Sequence, residues 1–427
     1  MYWQVQMSVF FFVTALLLIG CATYTDQTAA VRNKLVHGQS QEALETLEKS
    51  PIATRKRDEV LFRMERGMLH YLGGDYEKAV KDWEKSFYRS EELYTLSISK
   101  TAASLAVSED LTDYEGEEHE RVLIPIFSSL SFFAMGNLGA ALVEIRRAYN
   151  LISKLKLDTD NKSPRIDGFP FFVSGLLYES NANWDAAIIE YRKALKFYRT
   201  DQWPRHNVDR LVADSLWRVA EFRGRSEITR ELEDSGFQKP KDTLRERMLQ
   251  GEVILVFESG QSPIKVARDY PIDHSTGIVN ISFPAYQAIT RSNPSVRISC
   301  DGKECERTSK ASDVAVLAER ALEHRRLKDI AKMTARLIVK QGSKEAARKH
   351  FGELGGIAVM LANAATERAD TRSWTLLPEN IQIARVVVPP DQTIKLSVDA
   401  QNIIEGGAWS VKVPVGKKKL LRVRSMY

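Results

Sequence analysis

The stretch 67–87, GMLHYLGGDYEKAVKDWEKSF, constrains this chain more than any other, because its pattern recurs. It encodes two amphipathic helices broken at Gly73-Gly74. Asp75 follows the break as an N-cap, and Ala79, Val80, Trp83 and Phe87 fall at i, i+1, i+4 and i+8 on one face. Gly67 is small where two helices must approach closely. The same offsets return at Gly136-Asn137-Leu138, followed by Ala141, Leu142, Ile145 and Ala148 and preceded by Phe132 and Phe133. They return again at Ala182-Asn183-Trp184, followed by Ala187, Ile188, Tyr191, Ala194 and Leu195, with Gly175 in the place of Gly67. A weaker unit runs from Gly38-Gln39-Ser40 to Ala43, Leu44 and Leu47. A two-helix unit cannot bury its apolar face alone, so such units stack into a solenoid.

These units resemble tetratricopeptide repeats. The turns at 38, 74, 136 and 182 are separated by 36, 62 and 46 residues, whereas the simple repeat is about 34 residues long. Inserted segments are therefore expected: Glu91 to Val107 reads as an extra helix and Leu155 to Pro164 as a loop. Pro125 and Pro170 are expected near the starts of first helices, where a missing N–H costs nothing. Val208 to Phe222 and Ser226 to Leu232 read as a closing pair ended by Gly236, which assigns the repeat domain to 21–240. In the repeats that the chain resembles, first helices line a concave face. Positions five, eight and eleven residues before the second-helix alanine give the expected partner-binding residues Met68, Tyr71, Leu130, Phe133, Leu176 and Glu179, once the turn residues Gly74, Gly136 and Ala182 are set aside. This set is too apolar for a solvated groove, so a cover is expected. The cover is a partner segment, the chain's own C-terminal half folded back, or an inserted helix such as Glu91 to Val107.

At the N-terminus, Val9 to Ile19 is an apolar run too short for a comfortable bilayer span and reads as a secretory h-region. Leu18-Ile19-Gly20-Cys21 resembles the lipobox of bacterial lipoproteins, although Met1 to Ser8 carries no Lys or Arg. The resemblance implies a signal peptide at 1–20, lipidation of Cys21, and membrane attachment through the N-terminal lipid. Ala22 in place of Asp implies an outer-membrane, periplasm-facing address.

From Gly251 the period changes to short β-branched runs bounded by Gly, Pro and Asp. Strands are expected at Val253 to Phe257, Ile264 to Ala267, Gly277 to Phe283 and Val296 to Cys300. After helices at Val314 to Ile338 and Lys344 to Ala369, they resume at Ser373 to Leu377, Ile381 to Val388, Thr393 to Val398, Trp409 to Val413 and Leu420 to Val423. The expected fold is mainly α: a tetratricopeptide-like α-solenoid followed by an α+β domain at 251–427, an antiparallel β-sandwich with a helical-hairpin insertion at 311–369. The string ERADTRSWTLLPENIQIARVVVPP at 367–390, with FESGQSPIK and ISFPAYQ before it, resembles an uncharacterised family of bacterial lipoproteins that join tetratricopeptide repeats to such a domain. The resemblance implies a cell-envelope setting and no established activity. Asp370 and Arg372 read as a charge pair at a helix-to-strand corner, and Trp374 as a core anchor.

The chain has no HExxH, GxSxG, P-loop or strand-borne GxGxxG, and its 7 histidines show no metal-ligand spacing. No cofactor, metal or small-molecule substrate is indicated. Cys300 and Cys305 flank Asp301-Gly302-Lys303-Glu304 and read as a disulfide closing a hairpin. A net charge of +5 with both signs mixed gives no phosphate-binding stripe, so nucleic acid is not an expected partner. The expected function is a lipid-anchored periplasmic adaptor that binds an envelope protein partner through its repeats, in envelope assembly, cell-wall synthesis or export. The alternative is a cell-wall-modifying enzyme whose carboxylates converge in the C-terminal domain without a motif.

Overall fold

A computed structural model describes residues 23–99, 112–155, 165–200, 207–274, 277–287, 295–325 and 369–426. The expected signal peptide, Cys21, residues 100–107 of the inserted helix, 156–164 of the expected loop, and 326–368 of the helical insertion lie outside the described residues.

The N-terminal half is a stack of helical pairs. They are α1 (Tyr24–Val36) with α2 (Ser40–Glu48), α3 (Glu59–Leu72) with α4 (Tyr76–Ser99), α5 (Glu118–Ala134) with α6 (Leu138–Lys154), α7 (Phe169–Ser180) with α8 (Trp184–Tyr198), and α9 (Val208–Phe222) with α10 (Ser226–Asp234). Each pair turns on one left-handed residue: Gly38, Gly74, Gly136, Ala182 and Gly224, at φ of 73°, 79°, 76°, 55° and 68°. The next residue then caps the second helix in three of the turns. Asp75, Asn137 and Asn183 accept from the backbone N–H three residues on, at 3.2, 3.1 and 3.3 Å. Within the pairs, a Cβ on Gly67 would fall inside the Trp83 indole, and one on Gly175 inside the Tyr191 ring. In the middle pair the positions with the same spacing are Ser129 and Ile145, both buried.

Two sequence expectations in this half need correction. Residues 91–99 are no separate inserted helix; they continue α4, because nothing after Phe87 breaks the helical pattern. Pro125 lies inside α5 rather than at its start, since a capping box between Glu117 and Glu120 begins that helix seven residues earlier. Pro170 does sit in the first turn of α7.

A short helix, α11 (Leu244–Met248), leads into the sheet-rich half. Its strands are β1 (Gly251–Ser259), β2 (Lys265–His274), β3 (Gly277–Tyr286), β4 (Arg297–Cys300), β5 (Lys303–Arg307), β6 (Ser309–Asp313), β7 (Asn380–Val388), β8 (Thr393–Asp399), β9 (Ile403–Glu405), β10 (Ala408–Lys412) and β11 (Lys418–Ser425). They form a five-stranded sheet ordered β6-β7-β1-β11-β9, a four-stranded sheet ordered β10-β8-β4-β5, and the β2-β3 hairpin. The expected purely antiparallel arrangement is corrected: β1 and β11 pair in parallel, from Glu252 opposite Lys418 to Ser259 opposite Ser425. The first and last strands of this half meet at the sheet centre, and a pairing between distant segments is free of the hairpin geometry that dictates antiparallel neighbours. Residues 311–313 complete β6, so the helix of the insertion begins at 314. Residues 373–377 form no strand; they run extended into a turn and spend their backbone donors elsewhere.

All nine residues of β1 are buried. Val253, Leu255 and Phe257 join Ile298, Leu396, Val411 and Val423 in a core shared with the four-stranded sheet. Ile254 and Val256, on the other face, join the solenoid core together with Trp374 and Leu420. A strand buried on both faces reads as a continuous apolar run, and this one separates two cores.

Candidate functional site

The solenoid groove is closed by the C-terminal half of the same chain. Met68, Tyr71, Leu130, Leu176 and Glu179 are all buried, and Phe133 is half-buried against the same core. Of the three covers expected for these partner-binding candidates, the chain's own C-terminal half is the one that lies over them, so they are not free to take a partner segment in this structure. The apolar area is covered by the sheet and by residues 369–379, which reach it without the translational cost of a second molecule.

Residues 369–379 lie against the first helices as an extended segment. The Trp374 indole packs edge-on to Trp83 and Phe127, with ring centroids 6.1 and 6.0 Å away. Its backbone N–H donates to Glu120 Oε1 at 2.7 Å. The Thr375 N–H and hydroxyl both donate to Glu65 Oε1 at 2.7 Å, and the Leu376 N–H donates to Glu65 Oε2 at 3.0 Å. Two carboxylates on α3 and α5 thus take the main-chain donors that a strand would have given to a ladder. The second oxygen of Glu120 accepts from the Tyr114 hydroxyl at 2.6 Å and from the Glu117 N–H at 3.0 Å. Upstream, Arg372 pairs with Asp370 at 2.8 Å, as the sequence suggested, and also reaches Asp58 at 3.4 Å and the Thr112 carbonyl at 2.9 Å. Lys265 of β2 binds Glu117 and donates to the Arg372 carbonyl at 3.1 Å, while Arg325 reaches Glu117 at 2.9 Å.

A second latch lies farther along the groove. Arg385 of β7 forks between Glu179 of α7, at 2.5 and 3.0 Å, and Glu252 of β1, at 2.7 and 3.0 Å, and donates to the Ser215 hydroxyl of α9 at 2.9 Å. Lys418 binds both carboxylates, Tyr191 donates to Glu179 at 2.6 Å, and Arg247 pairs with Glu252 at 2.8 Å. Between the two latches, the Arg422 guanidinium sits 4.7 Å over the Tyr71 ring and donates to the Leu72 carbonyl at 2.7 Å. Tyr198 donates to the Ala311 carbonyl at 2.6 Å, and the Ser312 hydroxyl donates to Asp167 at 2.5 Å.

The carboxyls divide by what faces them. Burial pushes Glu65 up to about 7 although Thr375 and Leu376 donate to it, and burial takes Asp167 up to about 6 against the Ser312 and Phe169 hydrogen bonds. Burial also opposes ionisation of Glu179, but Arg385 and Lys418 overcome it and hold that carboxyl at about 2. Glu117 is likewise held well below its ordinary range, by Arg325 and Lys265 against burial. Burial lowers His119 to about 4. This arrangement clamps a backbone and fuses two halves, and among the described residues no group of three or more His, Cys, Asp or Glu could hold a metal ion.

Cys300 and Cys305 lie at disulfide distance, 2.21 Å sulfur to sulfur, across the β4-β5 hairpin. Asp301 and Gly302 turn that hairpin with φ of 48° and 82°, the pair of positive angles that a two-residue turn of this hand requires.

Sequence reasoning missed Glu65, Glu117, Glu120, Arg385 and Lys418. One signal was present: Arg385 interrupts the strand run IQIARVVV, and a cation in a strand buried on both faces demands a buried carboxylate.

Fold and site together define a helical-repeat protein of the tetratricopeptide-like kind with a sheet-rich C-terminal half docked in its groove. Among solved structures the chain is similar to the nearly identical TPR-like repeats of a putative kinesin light chain from Podosopora anserina, at 15% identity and a TM-score of 0.34, covering 49% of this chain and 90% of that one. It is similar also to BtubC from P. vanneervenii, at 16% identity and a TM-score of 0.31, covering 51% of this chain and 79% of that one. No protein-family model matches the chain, and no curated protein matches it. No helix among the described residues is long and apolar enough to cross a membrane.

Proposed function

We propose that the protein is a protein-binding scaffold of the bacterial cell envelope, anchored through acylated Cys21 to the periplasmic face of the outer membrane. It binds its envelope partner through the outer helices of the solenoid rather than through the groove. The observation that carries this reading is the distribution of apolar surface. The concave face is covered by the chain itself, whereas Tyr88, Leu96, Val143 and Ile189, all on second helices of their pairs, are 54%, 40%, 40% and 53% exposed. A solenoid whose groove is occupied in cis offers its outward helices to others, and it presents them rigidly because the sheet half braces the stack from inside. The lipobox at 18–21 and Ala22 support the envelope address.

The test is a photo-crosslinking amino acid placed at 88, 189 or 133 in the full chain, expressed in cells, with mass spectrometry of adducts and of the N-terminal peptide. Adducts to one envelope protein from 88 and 189 but not from 133, with a diacylglyceryl mass on Cys21, are expected. Adducts from 133 alone would move the partner into the groove, and an unmodified Met1 would remove the anchor.

A further inference from the structure

Where α11 meets the sheet, four apolar residues at its end and in the following turns are brought to one tip with three lysines. Leu249 is 66% exposed, Val415 49% and Met248 41%. The two segments that carry them are adjacent: the Gly416 N–H donates to the Gln250 carbonyl at 2.9 Å, and the position of a Cβ on Gly416 lies 3.1 Å from the Met248 carbonyl. Pro414 is exposed beside Val415, in a turn closed by the Lys417 N–H on the Pro414 carbonyl at 3.1 Å. Around this apolar tip, Lys412, Lys417 and Lys419 are exposed and form no ion pair among the described residues, whereas Lys418 is drawn inward to Glu179 and Glu252. Arg245 is exposed on the preceding helix. Of the nearby acids, Asp242 is paired with Arg218 and Arg247, while Glu246, which caps its own helix with Thr243, and Asp391, beside Val413, are exposed carboxylates outnumbered by the three lysines and Arg245.

We propose that this tip docks on an anionic lipid bilayer. Exposed apolar side chains ringed by unpaired lysines match the boundary of such a bilayer, where acyl chains lie beneath phosphates, and each basic residue near the surface adds to the attraction. A protein partner fits less well, because the apolar side chains are few and sit on two tight turns ringed by lysines. The inference does not depend on acylation of Cys21. β11 runs from Lys418 at the tip to Ser425, and Met426 beyond it bonds to Asn402, next to β9. The Ile404 carbonyl of β9 lies near Gly38, in the turn after α1. The tip and the C-terminal end of α1 are therefore roughly 25 Å apart along the sheet.

The experiment uses the full chain with Cys21→Ser and Leu249→Cys, so that an environment-sensitive fluorophore sits at 249 while Cys300 and Cys305 remain oxidised. Vesicles of phosphatidylcholine, with and without phosphatidylglycerol, are floated with the labelled protein. A blue-shifted emission confined to the phosphatidylglycerol vesicles is expected. It should weaken with salt and with each of Lys412→Gln, Lys417→Gln and Lys419→Gln, by roughly five-fold in partition coefficient per lysine. The same label at Ile189→Cys should report water in both vesicles, which separates tip docking from insertion of the N-terminal apolar segment. A label at 249 that reports water in anionic vesicles, that shifts equally without phosphatidylglycerol, or that shifts only when envelope proteins are added would overturn the proposal.

Discussion

Replacing Arg385 by Met tests whether the two halves are held by charge as well as by apolar burial. The guanidinium is 2% exposed and makes four hydrogen bonds of 3.0 Å or less to Glu179 and Glu252. Methionine keeps most of the volume but leaves two buried carboxylates facing each other. Glu252 retains Arg247 and Lys418, while among the described residues Glu179 keeps Lys418 and the Tyr191 hydroxyl. Removing one partner from a buried pair costs about 3–5 kcal/mol, so a loss of that size is expected at pH 8. The loss should itself depend on pH. With Arg385 present, Glu179 is held at about 2, so its contribution to stability is complete above its unfolded value and is lost only as pH falls through about 2. Without Arg385, burial opposed by Lys418 is expected to raise that carboxyl above its ordinary range, and the variant should then lose stability as pH climbs through the new value. Urea unfolding followed by tryptophan emission at pH 5 and pH 8 reads both effects. Adding Glu179→Gln to Arg385→Met should restore more than half of the pH 8 loss, since the orphaned charge goes with it. A single variant that loses less than about 1 kcal/mol, or loses the same at both pH values, refutes the reasoning.

Trp374→Ala empties the space between Trp83 and Phe127 and should cost about 3–5 kcal/mol, with hydrogen exchange rising first in α3 and α5; unchanged exchange there would show that the segment does not brace the groove. Ala182→Gly should stabilise by about 0.5–1 kcal/mol, because Ala182 alone among the five turn residues is left-handed without being glycine, and Gly74→Ala, with nothing within 4 Å of the new Cβ, should cost about the same, both read as shifts in urea midpoint. Burial raises Glu65 to about 7, so its contribution is present below its ordinary value near 4.5 and is lost as pH rises through 7. Between pH 5 and 8 the parent chain should lose up to about 3 kcal/mol relative to Glu65→Gln, and parallel stability curves would show that the carboxyl titrates normally.

Most of the solenoid was legible in the sequence because its determinants are local. A left-handed turn residue, a capping side chain one position later and an apolar stripe at helical spacing lie within about twenty residues, so Gly74-Asp75 with Ala79 and Trp83 announces a pair without its neighbours. The Gly67–Trp83 crossing and the Asp301-Gly302 hairpin are local in the same way. What only the tertiary structure decided is which long-range partner each face meets. Met68, Tyr71 and Leu176 had to be covered, but an apolar face does not encode its cover, and a partner, an inserted helix and the C-terminal half satisfy it equally well. The parallel pairing of β1 with β11 joins residues more than 160 positions apart, a choice that no local period contains. Residues 373–377 carry strand-like side chains, yet the N–H groups of Trp374, Thr375 and Leu376 go to Glu120 and Glu65, because the solenoid offers carboxylates where a neighbouring strand would have offered carbonyls. Local propensity proposes an extended backbone, and the acceptor that reaches it first in three dimensions determines whether it becomes a strand or a strap.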